Sequence, residues 1–356
     1  MIKDFHIGNR LVGLNHPPYF IADIGANHDG SLERAYRLIE LAKEAGADAA
    51  KFQNFTASKI VSKEGFENMQ GKLSHQSGWK KSVYEVYEDA SISTDWTAAL
   101  KRKCDEVGIE YFTSPYDVEV VDHIDPYVNV YKIGSGDITW LEIIKHIAQK
   151  GKPVIIATGA SDMADVDRAM NVLAAEGVNV CLLQCNTNYT VDADKYRFVN
   201  LNVLKTFQQK YPGVLLGLSD HTLGVATVAG SIALGARIIE KHFTDDNDRE
   251  GPDHKFAMNP KNWREMVSIS NEIFYSLGDG IKRVEPNEEQ SKVVQQRSLR
   301  AKETIKAGTT LTADLFEALR PCPADALKPY ELGNLIGKKL IKDLSKGTHI
   351  TLKDIN

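Results

Sequence analysis

At 356 residues, 42% hydrophobic and 26% charged, with 26 Gly and 12 Pro, the chain has an ordinary globular composition, far from collagen-like or disordered extremes. Its length exceeds one average domain and fits one unit of roughly 250 residues plus a smaller one. A formal net charge of −5, with Lys and Arg interspersed rather than striped, leaves no electrostatic footprint for nucleic acid.

The first six residues, Met1 to His6, contain no apolar run of the kind that opens an export signal, and the longest apolar stretch, Val225 to Leu234, is about half a membrane span. Four cysteines (Cys104, Cys181, Cys185, Cys322) form no CxxC pair, and three sit in apolar runs. They read as reduced core thiols, so a cytoplasmic location and no membrane partner are expected.

From Tyr19 to Phe243, eight short apolar runs alternate with amphipathic stretches. They are Tyr19 to Asn27, Ala49 to Phe55, Tyr111 to Tyr116, Val130 to Ser135, Pro153 to Gly159, Val180 to Asn186, Leu215 to His221 and Arg237 to Phe243. Each precedes a helical pattern, as in Ser31 to Ala45, where Leu32, Ala35, Leu38, Ile39 and Ala42 share one face. Strand and helix in eightfold alternation predict an α/β fold, a closed (β/α)8 TIM barrel. No GxGxxG follows the first run, which removes the main support for a dinucleotide-binding fold. The long excursion from Thr56 to Ser93 lies after the second strand, where a lid over the catalytic face is expected.

The eighth helix is placed near Lys261 to Leu277, and the Gly-Asp-Gly at 278–280 breaks the pattern. The domain boundaries are therefore a barrel over 1–281, a charged, Gln-rich linker over 282–297, and a small β-rich domain over 298–356 punctuated by Gly and Pro.

Polar residues collect at the carboxyl ends of the runs, the face that carries the site in barrel enzymes. Residues two apart share a face of a strand. That parity groups Asp23, Gly25 and Asn27, then Lys51 with Gln53, Ser114 with Tyr116, and Lys132 with Gly134, followed by Ser135 and Asp137 in the loop beyond. It also lines up Gln184, Asn186 and Asn188, pairs Ser219 with His221, and pairs Glu240 with His242. Two inward lysines are costly unless an anion neutralises them. With hydroxyls from Ser114, Ser135 and Thr158, they would suit a substrate bearing phosphate and carboxylate; the alternative is structural ion pairing with Asp23 or Glu240. His221 and His242 end adjacent strands and could share a catalytic metal with open positions, or be two hydrogen-bonded core residues. Asp220 and Asp253 are candidate ligands, orienting groups or acceptors of substrate hydroxyls, and the simplest role for His28 is to cap the following helix.

The stretches IADIGANHDGS, GADAAKFQ, YKIGSGDI, IIATGAS, GLSDHTLG, ALGARIIEKHFT and EGPDHKFAMNP occur in this order at predicted strand ends. They closely resemble the N-acetylneuraminate (sialic acid) synthase family with its legionaminic and pseudaminic acid relatives. The tail, RSLRAKETIKAGTTLTADLFEALRP and IGKKLIKDLSKGTHITLKDI, resembles the antifreeze-like SAF domain that ends these enzymes. The resemblance implies a transferase that condenses phosphoenolpyruvate with an open-chain amino sugar such as N-acetylmannosamine, releasing phosphate. It assigns Lys51, Ser114, Lys132, Ser135 and Ser219, with Asn186 or its neighbours, to phosphoenolpyruvate. It assigns His221 and His242 to Mn2+, with Mg2+ and Co2+ as alternatives, and Gln53, Tyr116, Asp137, Tyr189 and Asp253 to the sugar. It further implies a domain-swapped homodimer in which Arg320 reaches the acyl group of the sugar in the other subunit. Asp23 is the carboxylate expected near the attacking water.

Relatives carry Glu where Asp23 and Asp137 stand, and a small hydroxyl residue is common at Ala157; these departures predict an altered acceptor or seating with the enol chemistry retained. Three rivals remain in view: an octulosonate-type synthase, which needs an extra cationic pocket for a distal phosphate; a metal-free Schiff-base aldolase using Lys51 or Lys132; and a catalytically dead carbohydrate-binding or antifreeze-like protein.

Overall fold

A computed structural model describes residues 4–69, 76, 79–190 and 193–356. The chain divides into two compact units, Met1–Leu277 and Gly278–Asn356.

The first unit opens with a hairpin that the sequence patterning gave no sign of, strands β1 (Phe5–Ile7) and β2 (Arg10–Val12) paired antiparallel. Eight parallel strands follow: β3 (Tyr19–Asp23), β4 (Ala49–Asn54), β5 (Glu110–Pro115), β6 (Tyr131–Ile133), β7 (Val154–Ala157), β8 (Val180–Cys185), β9 (Leu215–Asp220) and β10 (Ile238–His242). Their order is β5-β4-β3-β10-β9-β8-β7-β6, and the two end strands pack together, so the expected barrel closes.

Between strands run α1 (Leu32–Glu44), the three short helices α2 (Ala57–Ile60), α3 (Lys63–Glu67) and α4 (Val83–Ala90), then α5 (Trp96–Val107), α6 (Val118–Ile124), α7 (Leu141–Ala148), α8 (Met163–Glu176), α9 (Val203–Lys210), α10 (Ala226–Ala233) and α11 (Pro260–Ser276). Local chemistry sets their ends. Ser31 accepts from the Arg34 amide at the start of α1, Asp162 caps α8 in a reciprocal box with Asp165, and Asn259 caps α11 just before Pro260. Ala35, Leu38, Ile39 and Ala42 of α1 are buried, as their spacing predicts. Among the described residues no helix is long and apolar enough to cross a membrane.

Two cores result. One fills the layer between sheet and helices, around Phe20, Phe52, Leu182, Ile239 and Trp263. The other fills the barrel interior with Ile21, Ala49, Phe112, Val130, Ile155, Leu183 and Ile238, and includes Phe5, Ile7 and Val12 of the hairpin. The interior residues fix the inward parity of every strand, and the hairpin seals the amino-terminal end.

The second unit holds α12 (Glu289–Gln295), inside the segment expected as a linker, and an antiparallel pair, β11 (Ser298–Ala301) and β12 (Phe316–Leu319). Isolated bridges such as Ile305 to Leu344 tie its loops together around Leu299, Leu311, Leu335, Leu340 and Ile350. This is the small β-rich domain expected from the tail.

Candidate active site

A cavity of about 540 Å3 opens at the carboxyl ends of the barrel strands. The parallel register builds its floor: His242 lies level with Asp23, and Asp23 level with Lys51, across three neighbouring strands. Lys51 Nζ is 2.7 Å from Asp23 Oδ2 and 3.8 Å from Glu240 Oε1, while Lys132 Nζ is 3.3 Å from the same Glu240 oxygen. Both lysines are only 2% exposed, so neither reaches solvent.

The lysines thus do have acidic partners, but the pairing is incomplete. Glu240 Oε2 and Ser114 Oγ are buried without a hydrogen bond among the described residues. Burial disfavours charge on Lys51, yet Asp23 and Glu240 outweigh it and raise its pKa. Burial likewise works against ionised Asp23, and Lys51 and His242 override it to hold that carboxyl below its ordinary value. Asp23 also accepts from the Gly25 amide at 3.1 Å and from Gln53 Nε2 at 3.0 Å.

Beside this floor the His221 and His242 rings lie 5.5 Å apart between centroids. Burial, with the neighbouring His242, pushes the His221 pKa down to about 3, so its ring is neutral. Its Nδ1 is 3.0 Å from the Asn186 carbonyl, which makes Nδ1–H the donor and leaves Nε2 a lone pair, the arrangement found in metal-binding imidazoles. His242 Nδ1 is buried without a hydrogen bond and stands 3.5 Å from Asp253 Oδ2. Burial opposes charge on His242, but Asp23 and Asp253 prevail and raise its pKa. No cluster of three or more His, Cys, Asp or Glu poised around one point occurs among the described residues. Two imidazoles with an orphaned nitrogen fit a cation whose other positions stay open.

Gly25 makes the close approach possible. It has φ +51°, and a Cβ there would lie 2.6 Å from Asp253 Oδ2 and 3.1 Å from His242 Nδ1. Asp253 is drawn in by the Ala26 amide at 3.1 Å, and although burial favours its neutral form, His242 holds its pKa at about 2.

Ser135, Gln53, Tyr116, Asp137, Tyr189 and Ser219 all line the same cavity. Asp137 Oδ2 is buried and unpartnered by hydrogen bonds among the described residues, and burial, only partly opposed by Lys132, pushes its pKa up to about 6. Tyr189 packs its ring 4.5 Å from His221 and 5.2 Å from Phe256.

Other sequence expectations are corrected. On β8 the inward side chains are Cys181, Leu183 and Cys185, so Gln184, Asn186 and Asn188 have the opposite parity. Gln184 donates to the Val199 carbonyl, Asn186 presents only its carbonyl to His221, and Thr187 takes the cavity position. Thr158 follows the cavity-lining Ala157 and therefore points away, donating to the Leu183 carbonyl. Strand β3 ends at Asp23 because the chain turns at Gly25, and Asn27 is buried against the Phe243 carbonyl instead of entering the cavity. Asp220 is no ligand: it faces outward, 2.6 Å from Lys241 Nζ, with Thr222 and Thr227 donating to it. His28 accepts from the Gly30 amide, while Ser31 caps α1. Arg320 belongs to the second unit, exposed beyond β12.

Glu240, expected as an ion-pair partner of the inward lysines, lies within 4 Å of both. The wall built by α2, α3 and α4 was expected only as a lid. Ala57, Val61 and Val83 form its small core, and Phe55, Ile60, Phe66, Val86 and Tyr87 face the cavity.

The NeuB family model matches residues 38–282, and the SAF domain model matches residues 296–356. The chain is 32% identical over 333 residues to the N-acetylneuraminate-9-phosphate synthase of Homo sapiens, covering 93% of this chain and 91% of that one. It is 31% identical over 341 residues to the N,N'-diacetyllegionaminic acid synthase of Campylobacter jejuni, covering 91% and 97%. The fold is similar to the N-acetylneuraminic acid (sialic acid) synthetase of Leptospira borgpetersenii, solved with citrate, at TM-score 0.72 and 28% identity over 82% of this chain and 95% of that one.

Proposed function

Since this chain belongs to the NeuB family and ends in a SAF domain, we propose that it condenses phosphoenolpyruvate with an open-chain N-acyl hexosamine to give a nonulosonic acid and phosphate. The observation that carries this reading is the convergence, in one cavity, of Lys51 and Lys132 with His221 and His242.

Phosphoenolpyruvate brings phosphate and carboxylate to a floor where two ammonium groups share Glu240 and Asp23. The lysines exchange part of that pairing for the substrate anions, and Ser114, Ser135 and Ser219 donate hydroxyls. Carbon 3 of the enol forms a bond to the aldehyde carbon, and water adds to carbon 2. The carbon–oxygen bond to phosphate then breaks, leaving a keto group. One water proton ends on the new hydroxyl, and the other leaves when the tetrahedral carbon collapses. Asp23, kept ionised by Lys51, orients that water, and the lysines stabilise charge growing on the departing phosphate. His221 and His242 would hold a divalent cation, Mn2+ foremost, which when bound supplies Lewis-acid polarisation of the aldehyde.

Gln53, Tyr116, Asp137, Tyr189 and Asp253 would orient the acceptor. A Schiff-base route needs a neutral amine, whereas Asp23 and Glu240 keep Lys51 protonated despite its burial. A homodimer belongs to the same proposal and is read by light scattering.

The test follows phosphate release from phosphoenolpyruvate with amino-sugar acceptors, with and without Mn2+, and weighs the product. A product mass equal to acceptor plus the pyruvate unit supports the reading. Borohydride-trapped adduct on Lys51 or Lys132, or turnover indifferent to EDTA, would overturn it.

A further inference from the structure

The chain between β10 and α11 makes a loop, residues 244–258, that carries two of the side chains gathered round His242. Backbone bonds close its base: the Met258 amide donates to the His242 carbonyl at 2.8 Å, and the Thr244 amide donates to the Met258 carbonyl at 3.1 Å. From that base the loop brings Asp253 to 3.5 Å from His242 Nδ1 and packs the Phe256 ring 5.0 Å from the His242 ring. Fixing so long a loop costs much conformational entropy, so specific contacts must select this one shape.

His254 supplies them. It is fully buried and both ring nitrogens are engaged, Nε2 lying 2.9 Å from Asp29 Oδ1 and Nδ1 2.7 Å from Thr244 Oγ1. A carboxylate only accepts, so Nε2 carries a hydrogen. Asp29 sits on the turn after β3, the same turn whose Ala26 amide donates to Asp253 and whose Gly25 leaves room for it. The Asp29 carboxylate is itself held: its other oxygen accepts from Arg249 Nε and Nη2 at 2.9 and 2.7 Å and lies 3.1 Å from Arg34 Nε. Arg34 also donates to Asp245, at the start of the loop, at 3.0 Å. The loop backbone presses so closely on the His254 ring that a Cβ on Gly251 would lie 2.7 Å from it. Pro252 and Asp253 line the cavity, and His254 stands directly behind them.

We propose that His254 is a positioning residue for the reaction. Clasped between Asp29 and Thr244, it holds the loop in the shape that sets Asp253 against His242, and so fixes the imidazole that would hold the divalent cation. This rests on the synthase reading and extends it to a side chain outside the cavity.

The full-length variants His254→Leu and His254→Gln are compared with wild type by hydrogen exchange, Mn2+ calorimetry and steady-state kinetics. Glutamine can donate to Asp29 and accept from Thr244, whereas leucine can do neither. His254→Leu is expected to lose amide protection in peptides spanning 23–30 and 245–257. It should weaken Mn2+ binding and lower kcat by about 10- to 100-fold each, with KM for phosphoenolpyruvate within about twofold of wild type, since Lys51 and Lys132 stand on β4 and β6. His254→Gln should recover most of each loss. Asp29→Asn keeps a residue type that tolerates the left-handed backbone there, φ +51°, and should repeat the leucine pattern from the other side of the clasp.

A folded His254→Leu with wild-type exchange and Mn2+ affinity overturns the proposal. So does a glutamine variant as impaired as leucine, or a fall in kcat matched by equal loss of phosphoenolpyruvate affinity, the result of a merely structural role. If His254→Leu does not fold, Asp29→Asn decides by the same criteria. A wild type that gives no Mn2+ signal overturns the proposal together with the cation. A wild type that binds Mn2+ but releases no phosphate with any acceptor overturns the synthase reading, and exchange and affinity alone then decide the clasp.

Discussion

Replacing Glu240 with Gln removes the one carboxylate that both cavity lysines share. At 3.3 and 3.8 Å, each attraction is worth about 5 and about 4 kcal/mol at an effective dielectric near 20, before the cost of desolvating three ions. Most of that gain is offset, so the measurable loss is the one typical of a buried pair deprived of a partner, about 3–5 kcal/mol. For a barrel of this size that lowers Tm by on the order of 10 °C. The same change should tighten the hold on phosphoenolpyruvate, because the substrate no longer competes with Glu240 for the ammonium groups. Thermal denaturation with and without phosphoenolpyruvate reads both effects. A ligand at a hundred times its Kd adds about 2.7 kcal/mol, and the Tm rise should be larger in Glu240→Gln than in wild type. A variant with unchanged Tm and the same response to ligand would refute the charge-balance reasoning.

Asp137 gives a pH prediction. Its pKa is raised to about 6 in the fold, so the ionised form costs stability above pH 6, and that cost is relieved as pH falls through 6 toward the unfolded value near 4. Asp137→Asn should therefore stabilise by about 2–3 kcal/mol at pH 8 and by almost nothing at pH 4, measured as paired denaturant midpoints. If the ionised form serves the acceptor, kcat/KM for the sugar falls below about pH 6 in wild type, and that limb vanishes in the variant. Gly25→Ala should cost about 1–2 kcal/mol for its left-handed backbone and displace Asp253 and His242, so metal-supported turnover should fall at least about 100-fold, far more than Tm suggests. On the proposal that His221 and His242 hold a divalent cation, wild type should give a Mn2+ binding signal in calorimetry that His221→Ala loses while phosphoenolpyruvate binding stays detectable. Asp220→Ala strands Lys241 in the outer core and should cost about 3–5 kcal/mol in thermal or denaturant unfolding.

The barrel was legible because its strands are short apolar runs with polar tips, a pattern repeated often enough to override any single misjudged boundary. The floor was legible for a related reason: Lys51, Lys132 and Glu240 each stand two residues from an apolar side chain of the interior core, and His242 stands two beyond Glu240. Strand β8 misled because its inward residues, Leu183 and Cys185, are apolar while the outward Gln184 and Asn186 are polar, so side-chain character pointed one way and packing the other. Thr158 failed because its hydroxyl finds a carbonyl on the neighbouring strand. The β1–β2 hairpin was not found, since two three-residue strands joined by Gly8-Asn9 are too short for periodicity to register. The cavity wall after β4 was not foreseen in detail because its contacts with the cavity depend on how three short helices fold back, which spacing does not encode.

Strands β9 and β10 carry ionic chemistry on both of their faces, Lys241 with Asp220 outside and Glu240 with two lysines inside. Sliding β10 by a single residue would drop an ammonium group into the chamber and thrust Glu240 and His242 among the hydrophobic helices. The two faces thus act as a pair of interlocking keys: an alignment that satisfies one but not the other is penalised at once. The chain consequently has little freedom to misthread this edge while it folds, and any evolutionary change at position 241 must be matched by one at position 220 before the reactive face can drift.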